Sequence, residues 1–179
     1  MSKKVIHIYG ASGSGTSTFG RYISDKLGYK FMDTDDYYWA KSEVPYSVKN
    51  SVEKRLELMK RDIQKAENVV ISGGLAGWGD ELKSFFTTVI RLKTDTAIRM
   101  ERLKKREKQR FKERIEIGGD MYEHHLEFMD WAASYDTGGP DMRSKLKHDI
   151  WQETIDCTHI VLDGSDSLEE NFDKIKDYI

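Results

Sequence analysis

The sequence predicts an α/β fold, in which helices cover both faces of a parallel sheet. Short apolar runs alternate with longer stretches of helical periodicity along all 179 residues. This alternation is typical of strands that run in one direction and are joined by helical crossovers. With only two prolines and no linker or repeat, the length predicts one domain covering residues 1–179.

The elements follow from these patterns in chain order. Strands are expected at 3–9, 29–32, 68–72, 88–92 and 159–162. Helices are expected at 16–27, 46–66, 79–86, from 94 onward, between 120 and 155, and at 167–178. The helix at 46–66 has the clearest apolar stripe, with Val48, Val52, Leu56, Met59, Ile63 and Ala66. Steps of three and four residues in this stripe predict packing against the sheet.

Composition narrows the class of protein. The net charge of −2 gives no overall attraction to nucleic acid or to an anionic membrane. Cys157 is the single cysteine, so no intramolecular disulfide and no cysteine-rich metal site can form. The chain has no apolar run of about 18 residues and no room for a signal peptide before its first strand. We therefore expect a cytoplasmic protein with a small-molecule partner, and we consider nucleic acid and membrane partners unlikely.

Residues 10–17 have the spacing of a phosphate-binding P-loop, G-x-x-x-x-G-K-[ST], with Thr16 in the place of the lysine. The loop lies between a predicted strand and a predicted helix, as phosphate binding requires. Its glycines let backbone N–H groups converge on phosphate oxygens, and the helix N-terminus adds further donors. Ser17 or Thr18 offers a hydroxyl to a magnesium ion. The alternative is a Gly/Ser-rich turn that binds nothing. The residues predicted to contact the nucleotide are Gly10, Ala11, Ser12, Gly13, Ser14, Gly15, Thr16, Ser17 and Thr18.

Three carboxylates follow the second predicted strand, at Asp33, Asp35 and Asp36. Because like charges this close repel each other, their position at a strand end suggests a compensating cation or hydrogen-bond donors. The alternative is an Asp-rich turn that caps the next segment. A P-loop on a neighbouring strand favours the functional interpretation.

Two glycines follow the third predicted strand, at Gly73 and Gly74, and Trp78 comes soon after them. Glycines at a strand end allow a ligand to approach the backbone closely, and an indole ring could form an apolar wall. The alternative is a loop whose glycines serve turn geometry alone.

The strongest local charge lies between Arg99 and Arg114, where nine Lys or Arg residues face three Glu. Arg102, Arg106, Arg110 and Arg114 recur every four residues, so one helix would carry them as a slowly drifting stripe. Such a run is usually a solvated face, and it could also be a weak RNA-binding surface. The apolar pattern thins out after Leu103, which favours a mobile basic lid at about 102–140 that closes over ATP.

Glu123, His124 and His125 suggest a metal site at first sight. Neighbouring residues on a helix point about 100° apart, so the two histidines cannot chelate one ion from one face. They are interpreted as surface or lid residues, and the role of Trp131 is left open between lid packing and a substrate pocket.

These motifs, in this order, resemble the nucleoside monophosphate kinase group of P-loop kinases, which includes adenylate, cytidylate and shikimate kinases. The resemblance implies a three-layer P-loop NTPase fold with a five-stranded parallel sheet in the order 2-3-1-4-5. It also implies ATP and Mg²⁺ as cofactors, with Ser17 and Asp33 holding the metal. By the same resemblance Asp35 is the acceptor ligand or base, Arg102 stacks on adenine, and Arg106 and Arg110 act at the transferred phosphate. The acceptor site would comprise Asp35, Asp36, Gly73, Gly74 and Trp78.

Two departures from that group matter. The lid lacks the Arg-Pro of shikimate kinases, and Gly-Trp-Gly-Asp differs from their substrate signature. The loop Gly-Ser-Gly-Thr-Ser-Thr is similar to the Gly-Ser-Gly-Thr-Thr-Thr loop of archaeal-type cytidylate kinases, which are active enzymes. Loss of the lysine therefore does not imply loss of catalysis.

The predicted function is transfer of the γ-phosphoryl group of Mg-ATP to a small-molecule or nucleotide acceptor. The missing positive charge is then expected from Arg102, Arg106 or Arg110. The alternative is a nucleotide-binding switch or pseudokinase, in which Thr16 marks lost catalysis. An RNA-binding accessory protein is the third possibility.

Overall fold

The computed structural model describes residues 2–179, and its five strands form one sheet. The strands are β1 (Val5–Gly10), β2 (Lys30–Asp33), β3 (Val69–Ser72), β4 (Thr88–Lys93) and β5 (Thr158–Asp163). Every pairing is parallel, and the spatial order is β2-β3-β1-β4-β5. The predicted five-stranded parallel sheet and its strand order are confirmed.

Seven α-helices lie within the described residues. They are α1 (Thr16–Leu27), α2 (Asp35–Tyr38), α3 (Val52–Lys65), α4 (Thr96–Phe111), α5 (Tyr122–Ala133), α6 (Lys145–Gln152) and α7 (Leu168–Ile175). Short 3₁₀ helices occupy Asp80–Phe85, Lys112–Ile115 and Ser134–Asp136. None of the helices in residues 2–179 is long and apolar enough to cross a membrane.

The helices cover both faces of the sheet. On one face, α1 and α7 pack on a cluster that includes Ile6, Ile8 and Ile90 of the strands. On the other face, α3, α6 and the 3₁₀ helix Asp80–Phe85 pack on strand residues such as Tyr9 and Val89. Every residue of β1 and β3 is buried, because helices cover them on both sides and strands flank them.

Helix α3 begins later than the sequence pattern predicts, so the expected start at residue 46 was wrong. Ser51 is the N-cap, and its side chain accepts a hydrogen bond from the Lys54 amide at 3.3 Å. Val48 precedes the helix and is 50% exposed, outside the core that the stripe predicted. The segment before Ser51 instead pairs with residues after β2, through an antiparallel bridge between Trp39 and Lys49. These pairings satisfy backbone groups that a longer helix would have used.

A buried layer of polar side chains lies between the sheet and α6. The Arg91 guanidinium is fully enclosed and donates to Asp149 at 2.7 Å and to Gln152 at 2.8 Å. His7 is also fully buried, with Nδ1 3.3 Å from the Ile71 carbonyl oxygen. Burial lowers the pKa of both His7 and His148 to about 3. Both imidazoles are therefore neutral at pH 7, and protonating them opposes folding.

The buried histidines predict that the folded protein loses stability as the pH falls. Replacing His7 by Phe should reduce this loss. The unfolded chain binds a proton at His7 below pH 6.5, whereas the folded chain does so only near pH 3. Stability is therefore complete above pH 6.5 and is lost as the pH falls between these values. Each such histidine contributes a slope of about 1.4 kcal/mol per pH unit within that window.

Urea unfolding of the wild type and His7→Phe at several pH values between 6 and 4 measures this slope. As the pH falls, the unfolding free energy of the variant should decrease less steeply than that of the wild type, by roughly the contribution of one histidine. This difference in slope does not depend on the stability of the variant at pH 7. Parallel losses in the two proteins would contradict the prediction.

Candidate functional site

The predicted site residues follow the carboxyl ends of the strands, which meet at one edge of the sheet. Gly10 ends β1, and a Cβ on it would press on the Leu92 carbonyl of β4 and on the Ser14 side chain. Asp33 ends β2, and Gly73 follows β3. The P-loop therefore lies at the centre of this edge, with the acidic residues on one side and β4 and β5 on the other.

The P-loop presents free backbone donors. Gly13 has a φ of 81° and Gly15 a φ of 98°, which are conformations that favour glycine. Gly15 is the N-cap of α1, a helix of 12 residues. Within residues 2–179, the amides of Gly13 and Gly15 have no protein acceptor. Open amides beside a helix N-terminus form an anion-binding concavity, so the local geometry suits phosphate.

Asp33 connects the P-loop to the acidic segment. One of its carboxylate oxygens accepts a hydrogen bond from the Ser17 hydroxyl at 2.9 Å. The other accepts from the Asp35 amide at 3.1 Å and so holds the first turn of α2. A hydroxyl and a carboxylate in contact match the oxygen ligands that Mg²⁺ prefers, and Mg²⁺ usually takes one or two carboxylates plus phosphate oxygens. In the described part of the chain no group of three or more His, Cys, Asp or Glu gathers as a metal site.

Gly73 lies against Thr34 with no space for a side chain. A Cβ on Gly73 would collide with the Thr34 hydroxyl, and Gly73 has a φ of 117°. Thr34 is buried, and its amide donates to the Ser72 carbonyl at 2.8 Å. The ends of β2 and β3 are therefore in direct contact, and this contact places Asp35 beside Gly73 and Gly74.

Gly74 is covered by the side chain of Arg143, which the sequence patterns did not single out. A Cβ on Gly74 would fall on the Arg143 guanidinium, which also lies 5.6 Å from the Trp131 ring centre. Trp78 donates from Nε1 to the Gly74 carbonyl at 3.0 Å. Trp78 therefore contacts Gly74 directly, whereas Trp131 lies beside the Arg143 guanidinium, which has no hydrogen-bond acceptor anywhere in residues 2–179.

The charged groups around Asp35 shift its pKa in opposite directions. Desolvation of the carboxyl group raises its pKa above the ordinary value, although the residue as a whole is exposed. The Arg143 and Arg106 charges oppose that shift, and Asp33 and Asp36 add to it. Burial followed by repulsion from Asp33 also raises the pKa of Asp36. Opposed charges around one carboxylate are common at sites that move protons or bind charged ligands.

Three of the four arginines of α4, Arg102, Arg106 and Arg110, contact different groups. Arg102 donates from Nη1 to the Gly164 carbonyl at 3.0 Å, and the same nitrogen is 3.8 Å from a Cβ position on Gly15. Arg106 contacts Glu107 at 3.0 Å and is close enough to act on the charge of Asp35. Arg110 donates to the Tyr46 hydroxyl at 2.9 Å. Although these three arginines recur every four residues in the sequence, each side chain therefore lies in a different environment.

Arg55 is a second residue that the sequence patterns missed. Its guanidinium lies 3.7 Å from the Tyr38 ring centre and 5.3 Å from that of Trp78, and its Nε donates to the Asn50 carbonyl. Its position on α3, outside the charged run, gave no local signal. Arg143 follows the turn Gly138-Gly139-Pro140, and an arginine isolated after a turn is likewise common on surfaces. Glu123, His124 and His125 lie on α5.

The comparisons with known proteins agree with this geometry. A sequence profile described as an AAA domain matches residues 6–130, more than half of the chain. The chain belongs to this AAA-domain family. An uncharacterized protein, YqaC, of Bacillus subtilis is 38% identical over 177 residues, with 99% of this chain and 98% of the relative covered. The shikimate kinase of Persephonella marina is 31% identical over 111 residues, covering 55% of this chain and 66% of the relative.

The fold of this AAA-domain protein also occurs in a solved shikimate kinase from Bacteroides thetaiotaomicron. The two chains superpose with a TM-score of 0.60 at 15% identity, and 98% of each is covered. The likeness supports the P-loop kinase fold. The profile spans the P-loop, the acidic segment and α4, whereas Arg143 lies outside the matched residues.

The contact between Gly73 and Thr34 predicts that Gly73→Ala is more harmful than a glycine substitution with conformational strain alone. Gly28 is the matched control, because its φ is 69° and a Cβ there meets nothing within 4 Å. Gly28→Ala should cost about 1–2 kcal/mol of unfolding free energy. Gly73→Ala should cost at least about 1 kcal/mol more, through overpacking. Urea unfolding measures both, and equal losses would show that Thr34 moves aside freely.

Proposed function

We propose that the protein is an ATP-dependent kinase that transfers the γ-phosphoryl group of Mg-ATP to a small-molecule or nucleotide acceptor. The observation that carries the proposal is the double contact of Asp33 with the Ser17 hydroxyl and with the Asp35 amide. One carboxylate thereby joins a phosphate-binding loop to a second carboxylate near Gly73 and Gly74. Phosphoryl transfer needs such positioning of two substrates more than it needs covalent chemistry.

The nucleotide is assigned to the P-loop, from Gly10 to Thr18, with its phosphates on the free amides of Gly13 and Gly15. Ser17 and Asp33 would hold Mg²⁺, which neutralises phosphate charge when it is bound. Arg102 is assigned to the adenine, because it lies over Gly15 and is fixed by the Gly164 carbonyl. The uncharacterized full-length relative gives no acceptor, so these assignments rest on the site.

The acceptor is assigned to the space beside Asp35, Asp36, Gly73, Gly74 and Trp78. The Arg143 guanidinium, free of protein acceptors in residues 2–179, fits an anionic group on that acceptor, because a planar fork binds a carboxylate or phosphate through two parallel hydrogen bonds. The shikimate kinase relative bears a name that points to a hydroxylated carboxylic acid, which is compatible with this requirement.

In the proposed reaction an acceptor oxygen attacks the γ-phosphorus, and the bond from that phosphorus to the bridging oxygen of ADP breaks. When the acceptor is a hydroxyl, its proton passes to the Asp35 carboxylate, whose raised pKa makes it a better base than an ordinary aspartate. ADP leaves with the electron pair of the broken bond. Arg106 stabilises the charge on the transferred group.

The segment at about 102–140 is proposed to act as a lid within a single domain of residues 1–179. Arg106 pairs with Glu107 and acts on the charge of Asp35, whereas Arg110 is engaged by Tyr46. We therefore assign Arg106 to the transferring phosphate, and Arg110 joins it only if the lid moves far enough to release Tyr46.

The direct test measures ADP production from ATP with a panel of acceptors that includes shikimate, gluconate, other sugar acids and nucleoside monophosphates.

Arg106→Ala should lower kcat by about 10²–10³-fold with little change in ATP affinity, because the charge appears mainly during transfer. Arg143→Ala should raise the acceptor KM by about tenfold or more with ATP KM unchanged.

Arg114→Ala is the matched control, because Arg114 belongs to the same arginine repeat but is paired with Asp120 on the surface. It should leave turnover unchanged. ATP binding without turnover of any acceptor would contradict the kinase proposal and favour a nucleotide-binding switch. Tight RNA binding that weakens steeply with salt would favour the third possibility.

Asp35→Asn gives a separate test, because loss of activity should accompany a gain of stability. The raised pKa means that the charged carboxylate is disfavoured in the folded state above that pKa. The neutral amide removes this cost, so Tm should rise at pH 7, and the gain should shrink as the pH approaches the unfolded value of 3.8. For a hydroxyl acceptor, turnover should fall by about 10²–10⁴-fold. A lower Tm at pH 7 would contradict the claim that the folded protein disfavours the charged Asp35 carboxylate.

A further inference from the structure

A buried arginine, Arg99, lies behind the P-loop and has no part in the site described so far. It is fully enclosed, and each of its three guanidinium nitrogens donates at least one hydrogen bond to the protein. Nε donates to the Thr94 carbonyl at 3.3 Å, and Nη1 donates to the Ser12 carbonyl and the Ala132 carbonyl, both at 3.2 Å. Nη2 donates to the Thr96 hydroxyl at 2.7 Å and pairs with Asp136 at 3.5 Å. One guanidinium thus joins the P-loop to the end of α5.

Thr94 makes a second contact of the same kind. Its hydroxyl donates to the Ser14 carbonyl at 3.2 Å, and Gly164 lies so close that a Cβ on it would strike both groups. The backbone of α4 is equally close, since a Cβ on Gly13 would be 2.7 Å from the Arg99 carbonyl oxygen. Arg99 in α4 and Thr94 in the junction before it therefore hold two alternate carbonyls of the P-loop, at Ser12 and Ser14.

These contacts determine where the next two amides point. In a planar trans peptide the carbonyl of one residue and the N–H of the next point in opposite directions. Drawing the Ser12 carbonyl toward Arg99 turns the Gly13 N–H away from it, and drawing the Ser14 carbonyl toward Thr94 does the same for Gly15. Gly13 and Gly15 are the two residues of the loop with positive φ, and their amides have no acceptor in residues 2–179.

We propose that Arg99 and Thr94 are positioning residues that hold the Ser12 and Ser14 carbonyls back and so keep the Gly13 and Gly15 amides aimed at a bound phosphate. The inference rests on the proposed nucleotide site and deepens it. It also gives a structural reason why a loop with Thr16 can bind phosphate without a lysine. Oriented amides bind an anion without having to reorganise first, and a fixed guanidinium stands directly behind them.

The choice of arginine has a geometric basis. Removing a full charge from water is costly unless its nitrogens are hydrogen-bonded, and Arg99 meets that condition only by spanning the P-loop, α5 and the junction before α4. Lysine has three donors at a single point and cannot reach all these groups. Arg99→Lys therefore keeps the charge but should lose the hold on Ser12, whereas Thr94→Val keeps Arg99 and releases Ser14.

The experiment titrates ¹⁵N-labelled protein with inorganic pyrophosphate and with ATP, and follows the amide resonances of Gly13 and Gly15. Thr94→Val should weaken pyrophosphate binding by about threefold to tenfold and reduce the shift of Gly15 more than that of Gly13. Arg99→Lys should weaken it at least as much and affect mainly Gly13. Thr158→Val and Arg61→Lys, on the surface away from the loop, are the matched controls and should behave as wild type.

The outcomes separate the two proposals. If the wild type binds neither pyrophosphate nor ATP, the proposed function fails, and this inference fails with it. If the wild type binds and both variants bind equally well with unchanged glycine shifts, the inference alone is wrong. Equal loss of both shifts in Thr94→Val would also overturn it, because a general structural effect has no residue preference. Should Arg99→Lys not fold, Thr94→Val still decides.

Discussion

The hydrogen bonds of the Asp33 carboxylate set the geometry of the whole site. Its two oxygens hold the Ser17 hydroxyl, on the helix after the P-loop, and the Asp35 amide, on the helix after β2. The parallel sheet brings both groups to the same edge, because β2 and β1 are separated only by β3. The contact between Gly73 and Thr34 then fixes the end of β3 against the end of β2. Movement of any one of these strand ends would change the distance between the phosphate loop and Asp35.

The positive charge around this edge is distributed instead of being concentrated in one mobile lysine. Arg102 lies over Gly15, Arg106 acts on the charge of Asp35 from α4, and Arg143 acts on the same charge from the segment before α6. Arg99 is different from these three, because it is not accessible to solvent and all three of its nitrogens donate hydrogen bonds within the protein. The accessible arginines suit ligand contact, whereas the buried one suits control of the backbone.

The alternation of apolar runs and helical stretches predicted the parallel sheet, and the resemblance to P-loop kinases supplied its strand order. The spacing of Gly10 to Ser17 and the run Asp33 to Asp36 are local patterns, so the sequence alone was enough to propose a phosphate loop and an acidic segment there. Predictions failed or were silent where contacts distant in the chain decide. The helix expected from residue 46 begins at Val52, since Trp39 pairs with Lys49. Arg143 gave no signal, because its importance arises only when Gly74 lies beside it, nearly 70 residues earlier in the chain. The even spacing of Arg102, Arg106 and Arg110 likewise concealed their separate partners.

In the part of the chain that the structure describes, the site contains charged groups that make no hydrogen bonds or ion pairs with one another. Desolvation raises the pKa of Asp35, Asp33 adds repulsion, and the Arg143 guanidinium has no hydrogen-bond acceptor in residues 2–179. Residues chosen for stability alone would pair or remove such groups, as the enclosed Arg91 and Asp149 do within the fold. An acceptor that carries an anionic group for Arg143 and a hydrogen-bond donor for Asp35 would satisfy both side chains at once. The lack of pairing therefore points to a ligand whose own charge and hydrogen bonds complete the site, which is the basis for specificity in polar pockets.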